Sequence, residues 1–386
     1  MTPAGPHAVD APGPDVVVIT VTYDAADLVA DCLRGLESQE LGDVRMEVVV
    51  VDNASSDGTA DLVARDFPGV RLARSVHNLG FAAGNNLALR DVRAPYVILL
   101  NNDAVPDPGF VAALVAAARQ ADDDVAAVAA RVLLSQRFRR VPAETAGAVH
   151  GPDGAWLPDD DGEDRLVNST GNLVRADGFG LDRGWLADAT RHHPAPDVFG
   201  FSGAAVLLRT AALREVGLFD ERLFMYYEDT DLSWRLRRAG YRITYCEDAV
   251  ANHLHSATTG EGSAFFRFHD ARNRLVVVTK NASAGLAVRC VARFALTTAS
   301  ITLRGREPWR GRRGVIAVRL RALGSYVALL PHALRERRRI ARSAQVTARA
   351  VESLLSPPGT GTDSGLRSGA SGAVDTGTAA PRETKR

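Results

Sequence analysis

The first 130 residues alternate short β-branched runs with helical patterns, which restricts the chain to a layered α/β sheet. The strand-like runs are Val16 to Thr22, Glu47 to Val51, Val70 to Ala73, Tyr96 to Leu100 and Val125 to Val132. Between them Leu28 to Leu36, Ala60 to Phe67, Gly84 to Leu89 and Phe110 to Ala118 carry helical spacing. Leu28, Cys32, Leu33 and Leu36 share one helical face, and Asp107-Pro108 supplies an N-cap and a first-turn proline. The pattern predicts a parallel sheet. Ligands of such sheets sit beyond the carboxyl ends of the strands, which here read Thr22-Tyr23, Asp52-Asn53 and Asn101-Asn102-Asp103.

At 386 residues and 46% hydrophobic content the chain is globular, with room for two folding units or one large domain with appendages. Residues 135 to 198 lose the regularity, with Gly, Asp and Pro clusters and isolated aromatics at Trp156, Phe179 and Trp185, and predict a loop-rich excursion. Regularity returns at Val198 to Arg209, followed by a helix from about Thr210 that Gly217 ends and another over Asp229 to Ala239 that Gly240 ends. After Arg272 the chain turns helical and arginine-rich. Residues 1 to 14 and 356 to 386, rich in Gly, Pro and small residues, are expected to be disordered. Cys32, Cys246 and Cys290 are few and far apart, which fits a reducing cytoplasm better than disulfides or a zinc site. The first residues, with Asp10 among prolines, lack the basic end and apolar block of an export signal, and no spanning helix is expected.

Three segments carry chemistry. An apolar run from Val97 that empties into Asn101-Asn102-Asp103 places oxygen ligands where a hard cation could be held against a diphosphate. Glu228, Asp229 and Asp231 offer a second carboxylate for proton transfer, with His253 following. Alone, the first is equally a turn and the second an acidic helix start. Asp52 ends the run Val48 to Val51, and a carboxylate there can accept the N3–H of uracil or thymine; a capping role in a βα turn is the alternative. His77 to Asn86 combines Gly80 and Gly84 with Asn78, Asn85 and Asn86, allowing close backbone approach to a ribose or phosphate. It has the spacing of neither a dinucleotide fingerprint nor a Walker loop.

These motifs in this order resemble family 2 glycosyltransferases of the GT-A fold, in particular the bacterial rhamnosyltransferase-like branch. The resemblance spans about Asp15 to Asn281 and rests on Val18 to Tyr23, Val51 to Gly58, His77 to Asn86, Leu100 to Asp103, Gly203 to Arg209, Gly217 to Glu221, Tyr227 to Asp231 and Arg272-Asn273. It implies a Rossmann-like nucleotide-diphospho-sugar transferase domain over residues 15–280, with a nucleotide-sugar half at 15–132, an acceptor half at 198–280 and a basic helical extension over 281–355. By the same resemblance Thr22, Tyr23, Asp52, Asn53, Asn78, Gly80, Asn86, Asn102 and Arg272 bind the donor. Asp103 and His253 hold Mg2+ or Mn2+, with His255 as substitute. Asp229 is the base that deprotonates the acceptor hydroxyl, with Glu228 and Asp231 as alternatives. The implied reaction is inverting transfer from a pyrimidine nucleoside diphosphate sugar, dTDP-rhamnose being favoured, to a saccharide or polyprenyl-linked glycan. UDP-galactofuranose, UDP-N-acetylglucosamine and UDP-glucose stay open as donors. One departure from the family element is that Asn101-Asn102-Asp103 keeps only the last acid of Asp-x-Asp.

Over Asn281 to Ala350 fifteen arginines face only Glu307 and Glu336, a surplus of thirteen positive charges interleaved with apolar residues. That pattern predicts basic amphipathic helices, suited to an anionic membrane surface on the cytoplasmic side or to packing on the catalytic domain. No recognition motif accompanies the charge, so nucleic acid is not an expected partner. A non-catalytic nucleotide-sugar-binding protein would have lost Asp103, Glu228 and Asp229, and all three are present. A nucleotidyltransferase would show a glycine-rich loop near its first strand, and Thr20 to Asp27 has no glycine.

Overall fold

A computed structural model describes residues 13–254, 263–304 and 309–358. The first half runs β1 (Val16–Thr22), α1 (Ala26–Glu37), β2 (Met46–Asp52), α2 (Thr59–Asp66), β3 (Arg71–Arg74), α3 (Gly80–Leu89), β4 (Tyr96–Leu100), β5 (Ala104–Pro106), α4 (Phe110–Gln120) and β6 (Val125–Leu134). The excursion holds β7 (Phe138–Val141), β8 (Val149–Gly151), β9 (Gly154–Pro158), β10 (Val167–Ser169), β11 (Asn172–Val174) and β12 (Gly180–Asp182). Then come β13 (Ala205–Arg209), α5 (Thr210–Val216), a 3-10 turn at Glu221–Leu223, α6 (Glu228–Arg238) and β14 (Arg242–His253). The chain ends in α7 (Ala264–Asn281), α8 (Ala284–Arg304), α9 (Trp309–Ser343) and α10 (Ala348–Glu352).

The main sheet has the order β3-β2-β1-β4-β13-β6-β14-β5, with β10 added against β6. Strands β1 to β4 are parallel, as the alternation predicts. The sheet as a whole is mixed, because β13 inserts antiparallel between β4 and β6 and β5 runs against β14. Successive side chains of a strand point to opposite faces, and the burial follows that period. Val16, Val18, Ile98 and Leu100 join α1 and α4 in one apolar layer, while Val17, Ile19, Val97 and Leu99 join α3, α5 and α6 in the other. Such strands, buried on both faces, explain why their sequence is continuously apolar rather than alternating.

The excursion is more ordered than its composition suggests. Strands β7, β9 and β8 form a small antiparallel sheet and β11 and β12 a hairpin. Trp156 anchors a satellite core with Phe138, Leu166 and Leu186.

Helices α8 and α9 pack one face on α7 through Leu275, Val278, Leu286, Phe294, Ala322 and Tyr326. Polar ties fix them further: Arg337 donates to the carbonyls of Thr279 at 2.8 Å and Ala282 at 2.6 Å, and His332 lies 2.8 Å from Asp220. Ser356, assigned by composition to the disordered tail, donates its N–H to Val174 and accepts from Ala176, both at 2.9 Å. The remaining residues of both expected disordered ends, 1–12 and 359–386, lie outside the described residues. Ala284–Leu303 and Arg313–Ser343 are long and apolar enough, by length and composition, to cross a membrane, contrary to the expectation that no segment is.

Candidate active site

The antiparallel entry of β13 beside β4 assembles the site. Asn101 donates its N–H to the carbonyl of Ala204 at 2.9 Å, and the preceding residue, Gly203, donates its N–H to Asp229 Oδ2 at 3.2 Å. One backbone hydrogen bond and one from a backbone N–H to the Asp229 carboxylate therefore join the end of the Asn101-Asn102-Asp103 strand to the start of α6. On the other side β14 pairs with β5 so that His253 stands opposite Ala104, next to Asp103. His253 Nε2 is 3.0 Å from Asp103 Oδ1, and both side chains are buried.

The histidine is oriented from behind. Its Nδ1 lies 2.6 Å from Asn168 Oδ1, a contact that sets the ring so that Nε2 faces Asp103. An imidazole nitrogen and a carboxylate oxygen side by side form a donor set suited to a divalent cation, with the partner on the second ring nitrogen typical of metal-bound histidine. Asn101 Nδ2 lies 3.3 Å from the same nitrogen. Among the described residues no group of three or more His, Cys, Asp or Glu forms a complete protein cage. The donors thus fit a cation that shares its remaining positions with other oxygens. His255 lies outside the described residues.

The three acids of α6 separate clearly. Asp231 is fully buried and bonded to Arg235 Nε and Lys280 Nζ, both at 2.9 Å, and to Asn281 Nδ2 at 2.8 Å. Burial alone would raise its pKa, but Lys280 and Arg235 outweigh that and hold it low, as a structural anchor. Glu228 is buried with Oε2 lacking any hydrogen-bond partner, and burial together with the adjacent Asp229 charge pushes its pKa well above the carboxylate range. Asp229 is half-buried and accepts from Asn172 Nδ2 at 3.0 Å, Gly203 N, Thr230 N at 2.5 Å and the Thr230 hydroxyl at 3.2 Å. Burial raises its pKa and those donors moderate the rise. Their number matches the lone-pair sites of a carboxylate, so an incoming hydroxyl must displace one of them.

At the other end of the cleft Thr22 and Asp52 face each other across β1 and β2, and Thr22 Oγ1 accepts from Asn102 Nδ2 at 3.2 Å. Asp52 is buried, receives Ser55 N–H on Oδ2 at 3.3 Å, and leaves Oδ1 without a partner. An unpartnered buried acceptor at a strand tip leaves a place for a donor, from water or from a ligand. Asn53 and Asn78 build the loop floor: Asn53 Nδ2 donates to Asn78 Oδ1 at 3.0 Å and Gly80 O at 3.2 Å, and Leu79 N–H returns to Asn53 Oδ1 at 2.9 Å. Gly80 has φ 75°, and a Cβ there would lie 2.5 Å from the Phe224 ring.

Two models, Glycosyl transferase family 2 and Glycosyl transferase family group 2, match residues 17–181 and 183–275. The chain belongs to glycosyltransferase family 2. An N-acetylglucosaminyl-diphospho-decaprenol L-rhamnosyltransferase of Mycobacterium tuberculosis is 29% identical over 262 residues, covering 64% of this chain and 78% of the relative. A low-salt glycan biosynthesis hexosyltransferase of Haloferax volcanii is 24% identical, covering 75% and 82%. Among solved structures, GalNAc-T7 with UDP, GalNAc and Mn2+ superposes with a TM-score of 0.53 at 12% identity, covering 79% of this chain and 54% of that one. The fold is that of GT-A glycosyltransferases, with a helical C-terminal part.

The glycosyltransferase gathers Thr22, Asp52, Asn102 and Asp103 past the carboxyl ends of β1, β2 and β4, pairs His253 with Asp103, ties Asp229 to that strand end through Gly203, and leaves Tyr23 exposed. Two expected donor contacts are turned elsewhere. Asn86 donates to Phe219 O at 2.9 Å and Glu221 Oε1 at 3.0 Å and accepts from Phe219 N–H, binding α3 to the segment around the 3-10 turn. Arg272 donates to Leu223 O at 2.7 Å, Arg222 O at 3.2 Å and Asn273 Oδ1 at 2.8 Å, which directs its guanidinium at backbone rather than at the cleft. Asn168 and Asn172, which orient His253 and Asp229, went unrecognised because both lie in the irregular excursion. Their only signal is a pair of amides flanking Gly171 between two short apolar runs.

Proposed function

We propose that this glycosyltransferase is inverting and metal-dependent and transfers a sugar from a pyrimidine nucleoside diphosphate to a lipid-linked glycan or related saccharide. The observation that carries the reading is the Asn101–Ala204 and Gly203–Asp229 bridge, which ties a half-buried carboxylate to the strand end that carries the Asp103–His253 pair. Asp229 accepts the proton of the acceptor hydroxyl as that oxygen forms its bond to the anomeric carbon and the nucleoside diphosphate leaves from the opposite face, which inverts the centre. A base whose pKa is raised toward neutrality is better matched to this transfer than an ordinary aspartate. Asp103 and His253 would hold Mg2+ or Mn2+, which when bound supplies positive charge against the departing diphosphate. Asp52 Oδ1 receives the N3–H of the base, and Thr22, Tyr23 and the Asn53–Asn78–Gly80 loop border the nucleotide.

Rhamnose from dTDP-rhamnose is the favoured donor, supported by the Mycobacterium tuberculosis relative. A polyprenyl-linked acceptor would place the enzyme at the inner face of the plasma membrane. Exposed Val288, Leu296 and Leu303 on α8 and Leu320, Val327 and Leu334 on α9 support that location. The α9 trio recurs every seven residues on the side away from buried Ala322, Tyr326 and Ala333, among exposed Arg335, Arg338 and Arg342. The decisive experiment is a panel of nucleotide sugars scored for binding and nucleoside diphosphate release, with and without Mg2+ or Mn2+. Release from a thymidine or uridine diphosphate sugar that stops with chelator supports the proposal. Turnover undiminished by chelator, or confined to purine donors, would overturn it.

A further inference from the structure

The residues just before Glu228 and Asp229 have an unusual backbone. Phe224, Tyr226 and Tyr227 have φ of 66°, 69° and 69°, the left-handed region that bulky side chains rarely occupy. A segment with three such residues in four persists only if its surroundings hold it. Asn273 on α7, itself fully buried, donates Nδ2 to Leu223 O at 2.9 Å, Met225 O at 2.8 Å and Tyr226 O at 2.7 Å. Its Oδ1 accepts from Arg272 Nε at 2.8 Å, which fixes the amide's orientation, and Arg272 also donates to the carbonyls of Arg222 and Leu223. His269, pushed down to about 4 by burial and by Arg272, is neutral and accepts from the same guanidinium.

The turn also touches the donor side. Ala82, in the first turn of α3, donates its N–H to Phe224 O at 3.1 Å, and the Phe224 ring fills the space that Gly80 leaves open. Tyr227 Oη accepts from Gly180 N–H at 3.1 Å, and its carbonyl accepts Asp231 N–H at 2.8 Å to start α6. One short turn thus connects the donor loop to the helix that carries Asp229, and a single amide side chain grips three of its carbonyls.

We propose that Asn273 is a positioning residue: it holds the 223–227 turn in its strained form and thereby sets Asp229 relative to the donor loop. This rests on reading Asp229 as the base. The test is Asn273→Asp, which keeps the side chain's size and replaces the donor by an oxygen that repels three carbonyls, with Val276→Ala on the same buried helix as a stability control. Expected is a loss of kcat of about 100-fold, the cost of a small misplacement of a reacting group, with KM for donor and Mn2+-supported binding of UDP or dTDP close to wild type. Hydrogen exchange of the 223–228 amides should rise while the remainder of α6 stays protected. A fall in kcat matched by Val276→Ala at equal loss of melting temperature, a parallel loss of nucleotide affinity, or unchanged exchange would overturn the proposal. Should the aspartate variant not fold, Asn273→Ser removes the bonds without adding charge and is read the same way. If Asp229→Asn retains full turnover, the reading of the base fails; if Asp229→Asn is inactive while Asn273→Asp is fully active, only the positioning role fails.

Discussion

Asn168 Oδ1 sits 2.6 Å from His253 Nδ1, so a residue of the irregular excursion decides which nitrogen of the histidine faces Asp103. Removing that partner frees the ring to rotate. Asn168→Ala is expected to weaken metal activation by about 10–100-fold, the usual cost of losing such a partner, while nearly full activity returns at saturating Mn2+. A Mn2+ titration of turnover measures this. An unchanged activation constant would separate His253 from the metal.

Asp52 makes a sharper test of the nucleotide. Its unpartnered Oδ1 can only accept, which suits the N3–H of uracil or thymine. Asp52→Asn places an amide there, whose N–H₂ can instead donate to cytosine N3. Calorimetry with UDP, dTDP and CDP should show the first two weakened by about 10–100-fold, the worth of a hydrogen bond to a charged group, with CDP gaining on them. Equal loss for all three nucleotides would mean that Asp52 does not read the base.

For the acids of α6 the expectation is a division of labour. Asp229→Asn should abolish most turnover with donor affinity kept, whereas Glu228→Gln should retain far more activity, because burial and the neighbouring Asp229 charge already favour the uncharged form of Glu228. The pH dependence of stability has a definite sign. A carboxyl whose folded pKa lies above its unfolded value contributes stability below the unfolded pKa, and that contribution is lost as pH rises through the folded pKa. The melting temperature of Glu228→Gln relative to wild type should therefore increase from about pH 4.5 upward. A difference that is flat with pH would mean that Glu228 titrates in the fold as it does in the unfolded chain.

The C-terminal helices are tied to the catalytic part through α7, so their membrane role is best tested by surface changes rather than truncation. Leu320→Glu with Val327→Glu adds charge to the outer stripe of α9 without touching Ala322 or Tyr326, which pack inward. Binding to anionic vesicles at low salt should drop sharply, and each of Arg335, Arg338 and Arg342 changed to Ala should cost about 1 kcal/mol of partitioning. Donor binding should not change. Wild-type protein that ignores anionic vesicles at low ionic strength would remove the membrane partner.

Much of this architecture could be read from local pattern, and the remainder depends on distant pairing. Strands β1 to β4 announce themselves because burial on both faces demands continuous apolar runs. Asp103, Asp229 and His253 are each compatible with a turn, a helix start or a structural histidine, and they stand out in the sequence only as part of an ordered set of motifs. The antiparallel insertion of β13 has no local signature, since an apolar strand reads alike in either direction. Asn168 and Asn172 act on partners 85 and 57 positions away, a relation no window of sequence contains. Arg272 and Asn86 have the right chemistry for a donor phosphate or ribose, yet the same N–H groups equally satisfy backbone carbonyls.

The place of β13 also bears on how the chain folds as it is made. Strand β4 ends at Leu100 and its neighbour does not begin until Ala205, so both β4 and β6 emerge from the ribosome with an unpaired edge. At about 5–20 residues per second those edges stay open for roughly 5–20 s, exposed to pairing with other chains. The central seam of the sheet closes only once β13 has been made, just past the middle of the chain, and slowed elongation through the excursion should raise aggregation rather than relieve it.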